Sequence, residues 1–264
     1  MIRRHTVPLV IAALATVTVA CMDATNPSSV PYGFVTFVAQ QSGGGFTASP
    51  IGTFFGASGI GVPTAVSPWD SCRQQTYSRA TVGLGEVYPS ISAGAAIQLK
   101  VSGRTDSIFP GAVGREVQYR LRASSIPYLP GDTVSVVIPG HADGYPAISV
   151  RAKSAEVLTV TDFGTPTVTS RLDLRWNAGQ DLNSTISFSF RYGALNADTL
   201  NTQVYCQFRD DGADSIPAKY MGAWAQARVR TWVASRVRTY VAPVARNGYF
   251  DFISTFDVPT PPSP

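Results

Sequence analysis

The chain has 264 residues, 44% of them apolar and only 14% charged, with 21 Lys and Arg against 17 Asp and Glu. That is enough chain and enough apolar side chain for a real core, as one large domain or two small ones. The weak positive balance of +4 gives no ground for a nucleic-acid partner, and the low charge suits a secreted β-protein better than a cytosolic enzyme.

Residues 1–20 read as an export signal. Arg3 and Arg4 form a positive start, and residues 7–19 form an apolar run too short to span a bilayer as a stop-transfer helix. Removing this segment takes two arginines and no acidic residue, leaving 19 basic against 17 acidic side chains and a balance of +2. Thr18-Val19-Ala20-Cys21 resembles the lipobox of bacterial lipoproteins, with Thr18 where that motif usually carries Leu. The resemblance implies that the Cys21 thiol carries lipid; the same small residues would also permit ordinary signal cleavage after Ala20. Met22, in place of the Asp that retains enteric-type lipoproteins at the inner membrane, favours the outer membrane by the same resemblance. The domain would then face the periplasm or the outside.

The chain contains three cysteines. With lipid on Cys21, Cys72 and Cys206 remain as a pair in an oxidising compartment, and a disulfide between them is expected. Its long loop sets a chain-entropy ceiling of about 4 to 5 kcal/mol. The alternative is two buried free thiols.

Polar, proline-bearing residues 21–32 read as the lipidated cysteine and a tether, and residues 259–264 as a proline-rich tail outside the fold. Between them, apolar and polar residues alternate with the period of a half-buried strand: Val35, Phe37 and Ala39; Ile97, Leu99 and Val101; Val117, Tyr119 and Leu121; Val134, Val136 and Ile138; Leu172, Leu174 and Trp176. Ile186 to Tyr192, Val204 to Phe208, and Phe250 with Phe252 continue the pattern. Turn-forming strings such as Pro130-Gly131-Asp132 and Asp210-Asp211-Gly212 separate the runs. Ser42-Gly43-Gly44-Gly45 reads as a flexible loop, since no Lys-Ser/Thr and no helix follow it to make a phosphate cradle. Only residues 218–241 compete as a helix, with Ala225, Val229, Val233, Val237 and Val241 recurring every fourth residue.

The expected fold is an all-β, antiparallel sandwich, with 33–130 and 131–258 as two sandwich-like halves packed as one rigid unit. The runs Leu129-Pro130-Gly131-Asp132-Thr133-Val134, Leu172-Asp173-Leu174-Arg175-Trp176 and Val204-Tyr205-Cys206 resemble the strand and turn rhythm of exported bacterial β-sandwich lipoproteins. That resemblance spans about residues 70–220 and implies a fold and an anchor, with no activity and no functional residue attached.

The chemistry is sparse. His141 is the only histidine after processing and reads as part of the turn His141-Ala142-Asp143-Gly144, which removes multi-histidine zinc sites and leaves any Ser-His-Asp triad to run through it. Asp210, Asp211 and Asp214 do not match the spacing of a calcium loop and read as turn formers. Glu86, Glu116 and Glu156 are the only glutamates, and nothing in the sequence joins two of them as a glycosidase pair. No catalytic residue, metal or cofactor is assigned.

The one local oddity is the near repeat Arg228-Val229-Arg230-Thr231-Trp232-Val233 and Arg236-Val237-Arg238-Thr239-Tyr240-Val241. A turn at Ala234-Ser235 would make it a hairpin with Arg228, Arg230, Trp232, Arg236, Arg238 and Tyr240 on a basic, aromatic stripe able to hold an anionic envelope glycan. The plainer reading is a solvated face whose arginine stems cover the rings. Trp176 belongs to the core by parity with Leu172 and Leu174, while Trp69 and Trp224 stay open. Two functions remain: a lipid-anchored, non-catalytic module that binds an envelope glycan or protein or serves as a structural element, and a secreted hydrolase using carboxylates such as Asp210 or Glu156.

Overall fold

The structure is a computed structural model that describes residues 30–57, 70–77, 89–114, 116–194 and 199–258. The signal segment, Cys21, Met22, most of the expected tether, Trp69, Glu86 and the tail lie outside the described residues.

Among the described residues the chain forms β1 (Val30–Ser42), β2 (Gly45–Ala57), β3 (Ser71–Thr76), β4 (Ile97–Val101), β5 (Arg104–Val113), β6 (Glu116–Arg120), β7 (Ile126–Pro127), β8 (Thr133–Ile138) and β9 (Ile148–Lys153). Then follow β10 (Val160–Phe163), β11 (Leu172–Trp176), β12 (Ser184–Tyr192), β13 (Thr202–Arg209), β14 (Ala213–Ile216), α1 (Ala218–Gln226), β15 (Arg230–Val244) and β16 (Gly248–Val258). The fold is all-β and sandwich-like. One long sheet runs β3-β13-β12-β15-β16-β1-β2-β6-β5-β4-β8-β9, with β7 beside β2, and a second sheet runs β10-β11-β14.

Alternation decides which face of the long sheet is buried. Phe208, Ile186, Arg236, Phe256, Ala39 and Ala48 lie side by side across six strands, and none of them is more than 2% exposed. The next rows add Phe188 with Ala234, and Phe252 with Val35. Two covers close over this face. The first comes from the same sheet, because β5 turns a corner: Arg104 to Ile108 pair with β4, whereas Phe109 to Val113 pair with β6. The folded-back strands bring Tyr128 edge-on to Phe37 and Tyr145 onto Phe54, and the Ala155 N–H donates to Ser254 Oγ at 2.9 Å. The second cover is the small sheet with α1. Its Trp176 stacks on Phe208, Phe163 stacks on Trp232 with centroids 4.6 Å apart, and Trp224 of α1 meets Phe190 edge-on.

The strand pairing differs from the expected organisation in three respects. The halves 33–130 and 131–258 do not separate: β3 pairs with β13, β8 pairs with β4, and β1 pairs with β16. Sharing one sheet lets strands of both halves present a single continuous apolar face for burial. The β1–β16 pair is also parallel, within a sheet whose other pairings are antiparallel. The tether is shorter than expected, because Val30, Pro31 and Tyr32 already pair with Ala57, Gly56 and Phe55.

Local details follow the same logic. Ser42-Gly43-Gly44-Gly45 is a two-residue hairpin turn joining β1 to β2, with Ser42 opposite Gly45; Gly43 and Gly44 adopt φ of 57° and 83°, which side chains resist. Residues 218–241 are helical only in α1, which buries Met221, Gly222 and Trp224; the β-branched repeats beyond it extend into β15. Val117 shares parity with the buried Tyr119 yet is 36% exposed, because it lies on the outer reach of short β6. No helix among the described residues is long and apolar enough to cross a membrane.

Cys72 and Cys206 form the expected disulfide. They sit directly opposite each other where β3 joins the edge of β13, with Cα atoms 4.0 Å apart and positions 134 apart in sequence. The bond ties β3 to the edge of the long sheet, and it suits an oxidising, exported compartment.

Candidate functional site

The expected basic stripe does not form as a solvent-facing hairpin. Residues 230–244 are one continuous strand, so Ala234-Ser235 makes no turn and even-numbered side chains from Arg230 to Arg238 share the inner face. Trp232 is 7% exposed and is packed on Phe163. Arg230 donates from Nη1 to the Ala225 carbonyl and lies 5.1 Å over the Trp224 ring. Arg238 reaches Asp181, Nε to Oδ2 at 2.7 Å. Arg228 and Tyr240 remain exposed at either end of the row.

Arg236 is fully buried. Its Nε lies 2.7 Å from Asp210 Oδ2, and its Nη2 donates to Asp210 Oδ1 at 3.0 Å. Nη1 and Nη2 also donate to the carbonyls of Val157 and Asn177, in the segments that lead into and out of the small sheet. Asp210 Oδ1 additionally accepts from Trp176 Nε1 at 3.1 Å and from the Gly179 N–H at 3.2 Å. Asp210 is therefore a buried counter-ion rather than a turn former, with Oδ1 accepting three hydrogen bonds and Oδ2 set against the Arg236 guanidinium. Next to it, burial pushes the Asp181 carboxyl up, but hydrogen bonds from Asn183 and the charge of Arg238 outweigh this and hold it below the usual carboxylate range.

The remaining sequence candidates are scattered. His141 is exposed in a turn in which its N–H donates to the Tyr145 carbonyl and its own carbonyl accepts from Gly144. Asp214 is pushed up by burial, with Asp70 and Asp211 adding to the rise. Among the described residues, no group of three or more His, Cys, Asp or Glu side chains gathers at metal-binding distance. Glu156 accepts from the Gln180 N–H at 2.8 Å, and Glu116 stands apart on β6.

The sequence reading missed a cleft of about 360 Å³ on the outer face of the long sheet, lined by Phe34, Ile51, Thr53, Phe55, Ser90, Glu116, Gln118 and Arg120. Register explains its composition. Asp251, Phe34, Thr53 and Gln118 form one row across β16, β1, β2 and β6. Along β6 a polar ladder faces out: Arg120 donates from Nε and Nη2 to Gln118 Oε1 at 3.1 and 2.6 Å, and Gln118 Nε2 donates to Glu116 Oε2 at 3.4 Å. Opposite it, the Tyr32 ring lies 5.1 Å from Phe55, and Phe34 meets Phe55 edge-on at 6.4 Å. The Tyr32 hydroxyl donates to Oδ2 of Asp251, which is 4% exposed. Burial raises the Asp251 carboxyl above its ordinary value, and the Tyr32 hydrogen bond offsets only part of this. The same burial, reinforced by Asp251, moves the Tyr32 phenol up. Adjacent Phe54 and Phe55 were the available signal, since two neighbouring aromatics on a strand must put one ring on each face.

Compared with protein-family models the chain matches none, and compared with curated protein sequences it matches none either.

Proposed function

We propose that the chain is a non-catalytic binding or structural module of the bacterial cell envelope, held at the outer membrane by lipid on Cys21. The observation that carries this reading is the Cys72–Cys206 disulfide, which accounts for two of the three cysteines and leaves the one that follows the export-like segment. The all-β frame and low charge fit the same compartment. The internal charges support a structural rather than a catalytic use: Asp210 is engaged by Arg236, Asp181 by Arg238 and Asp251 by Tyr32. Of the two carboxylates a hydrolase reading would use, Asp210 is engaged by Arg236 and Glu156 accepts from the Gln180 N–H.

Membrane fractionation of a Gram-negative host expressing the full chain tests this. The protein is expected in the outer-membrane pellet, and Cys21→Ser is expected to move it to the soluble fraction. A wild-type chain that is already soluble overturns the anchor.

A further inference from the structure

We infer that the outer-face cleft between β1, β2 and β6 is a binding site for a neutral oligosaccharide. The inference rests on the reading of the chain as a binding module but not on its lipid anchor.

The floor and the wall of the cleft carry opposite chemistry. Phe34, Ile51 and Phe55 give an apolar floor, while Glu116, Gln118 and Arg120 give a wall of side chains spaced two residues apart on one strand face. A pyranose ring presents the same pair of surfaces, an apolar C–H face and an edge of hydroxyls that both donate and accept. Phe55 and Phe34 suit the first, and the acceptor Glu116, the mixed amide of Gln118 and the donor Arg120 suit the second. Charge narrows the class further. An anionic ligand on Arg120 would face Glu116, and a cationic ligand on Glu116 would face Arg120, so the cleft is matched to a ligand without net charge.

Size and rigidity agree. A volume of about 360 Å³ lies at the small end of ligand clefts, fitting a sugar fragment rather than a protein surface. The aromatic floor is held from the side, because the buried Asp251 fixes the Tyr32 hydroxyl and the Tyr32 ring lies directly across from Phe55. Thr53 adds a hydroxyl between Ile51 and Phe55, and Ser90, bridged to Phe55, adds another whose Oγ already accepts the Val117 N–H at 3.1 Å.

Isothermal titration of the full, disulfide-intact protein with cellotetraose, chitotetraose and maltotetraose tests the site. Saturable binding of at least one, weakened about tenfold or more by Phe55→Ala and by Gln118→Ala, is the expected result. Gln118→Ala changes a partly exposed side chain and keeps the fold, so it holds the test open if Phe55→Ala fails to fold. Absence of saturation by all of these sugars up to about 10 mM, or unchanged affinity in a folded Gln118→Ala, overturns the site. Mass spectrometry of the recovered sugar separates the two claims: intact sugar agrees with a binding module, whereas shortened sugar contradicts the non-catalytic reading and leaves the site standing.

Discussion

Arg236 and Asp210 form an ion pair buried between the long sheet and its covers, with Nε 2.7 Å from Oδ2 and side chains 0% and 3% exposed. Arg236 occupies a row otherwise filled by Phe208, Ile186, Phe256, Ala39 and Ala48, and Asp210 meets it from just beyond the end of β13. Its value lies in what it fastens: the guanidinium also holds the Val157 and Asn177 carbonyls, so one side chain on β15 fixes both ends of the chain path into the small sheet.

Asp210→Asn is expected to lower stability by about 3–5 kcal/mol, because it leaves a buried guanidinium without its counter-charge. Arg236→Met alone strands the carboxylate in the same way. Combining Arg236→Met with Asp210→Asn removes both charges, and the double variant is expected to lose much less than the sum of its single losses. Urea unfolding of the oxidised proteins measures all four corners of the cycle.

The Cys72–Cys206 bond closes a loop of 134 residues in sequence. Replacing both cysteines by Ser is expected to cost about 2–5 kcal/mol, through the longer-ranging unfolded chain. The urea midpoint with and without reductant gives the same answer for the unmutated protein.

The buried Asp251 carboxyl has its pKa raised by burial, which sets the sign of one contribution to the pH dependence. As pH rises past about 3.9 the unfolded chain releases this proton while the folded chain still holds it. The contribution is therefore fully present below the unfolded value and is lost as pH rises through the raised folded value. Asp251→Asn keeps an acceptor for Tyr32 and cannot ionise, so its stability relative to wild type is expected to increase as pH rises from acid toward neutrality. Asp181 acts with the opposite sign: its lowered pKa gives stability present above the unfolded value and lost as pH falls. Unfolding midpoints across that range for the wild type and Asp251→Asn check the difference.

Trp232→Ala is expected to cost about 3–5 kcal/mol, since the ring is buried against Phe163 and Phe188. Tyr240, two-fifths exposed near the other end of the same row, is expected to cost about 1 kcal/mol or less on truncation. Similar losses for both would contradict the burial gradient along β15.

Much of the fold was legible because alternation is a local signal. Val35, Phe37 and Ala39, the Ile186 to Tyr192 run, and Val204 to Phe208 all point inward as their parity requires. Pairing is not local. Tyr32 and Asp251 are 219 residues apart in sequence, and nothing near either one announces that β1 will lie parallel to β16. Arg236 was misread for a related reason: its parity with Trp232 was visible, but the expected turn at Ala234-Ser235 and the usual cost of burying a charge pointed to solvent. Its counter-ion sits at the end of β13 in a string, Asp210-Asp211-Gly212, whose composition is that of a turn. The outer cleft escaped notice because its residues come from three strands and a bridge at Ser90, and each alone is an ordinary partly exposed side chain.

The proposed exported, lipid-anchored sandwich stapled by one disulfide has a distinctive intact mass once extracted in detergent. Thiols are alkylated before and after reduction. The account predicts an acyl mass on Cys21, with Cys72 and Cys206 alkylated only after reduction. An acyl-free chain with an alkylatable Cys21, or Cys72 and Cys206 reactive without reductant, would contradict it.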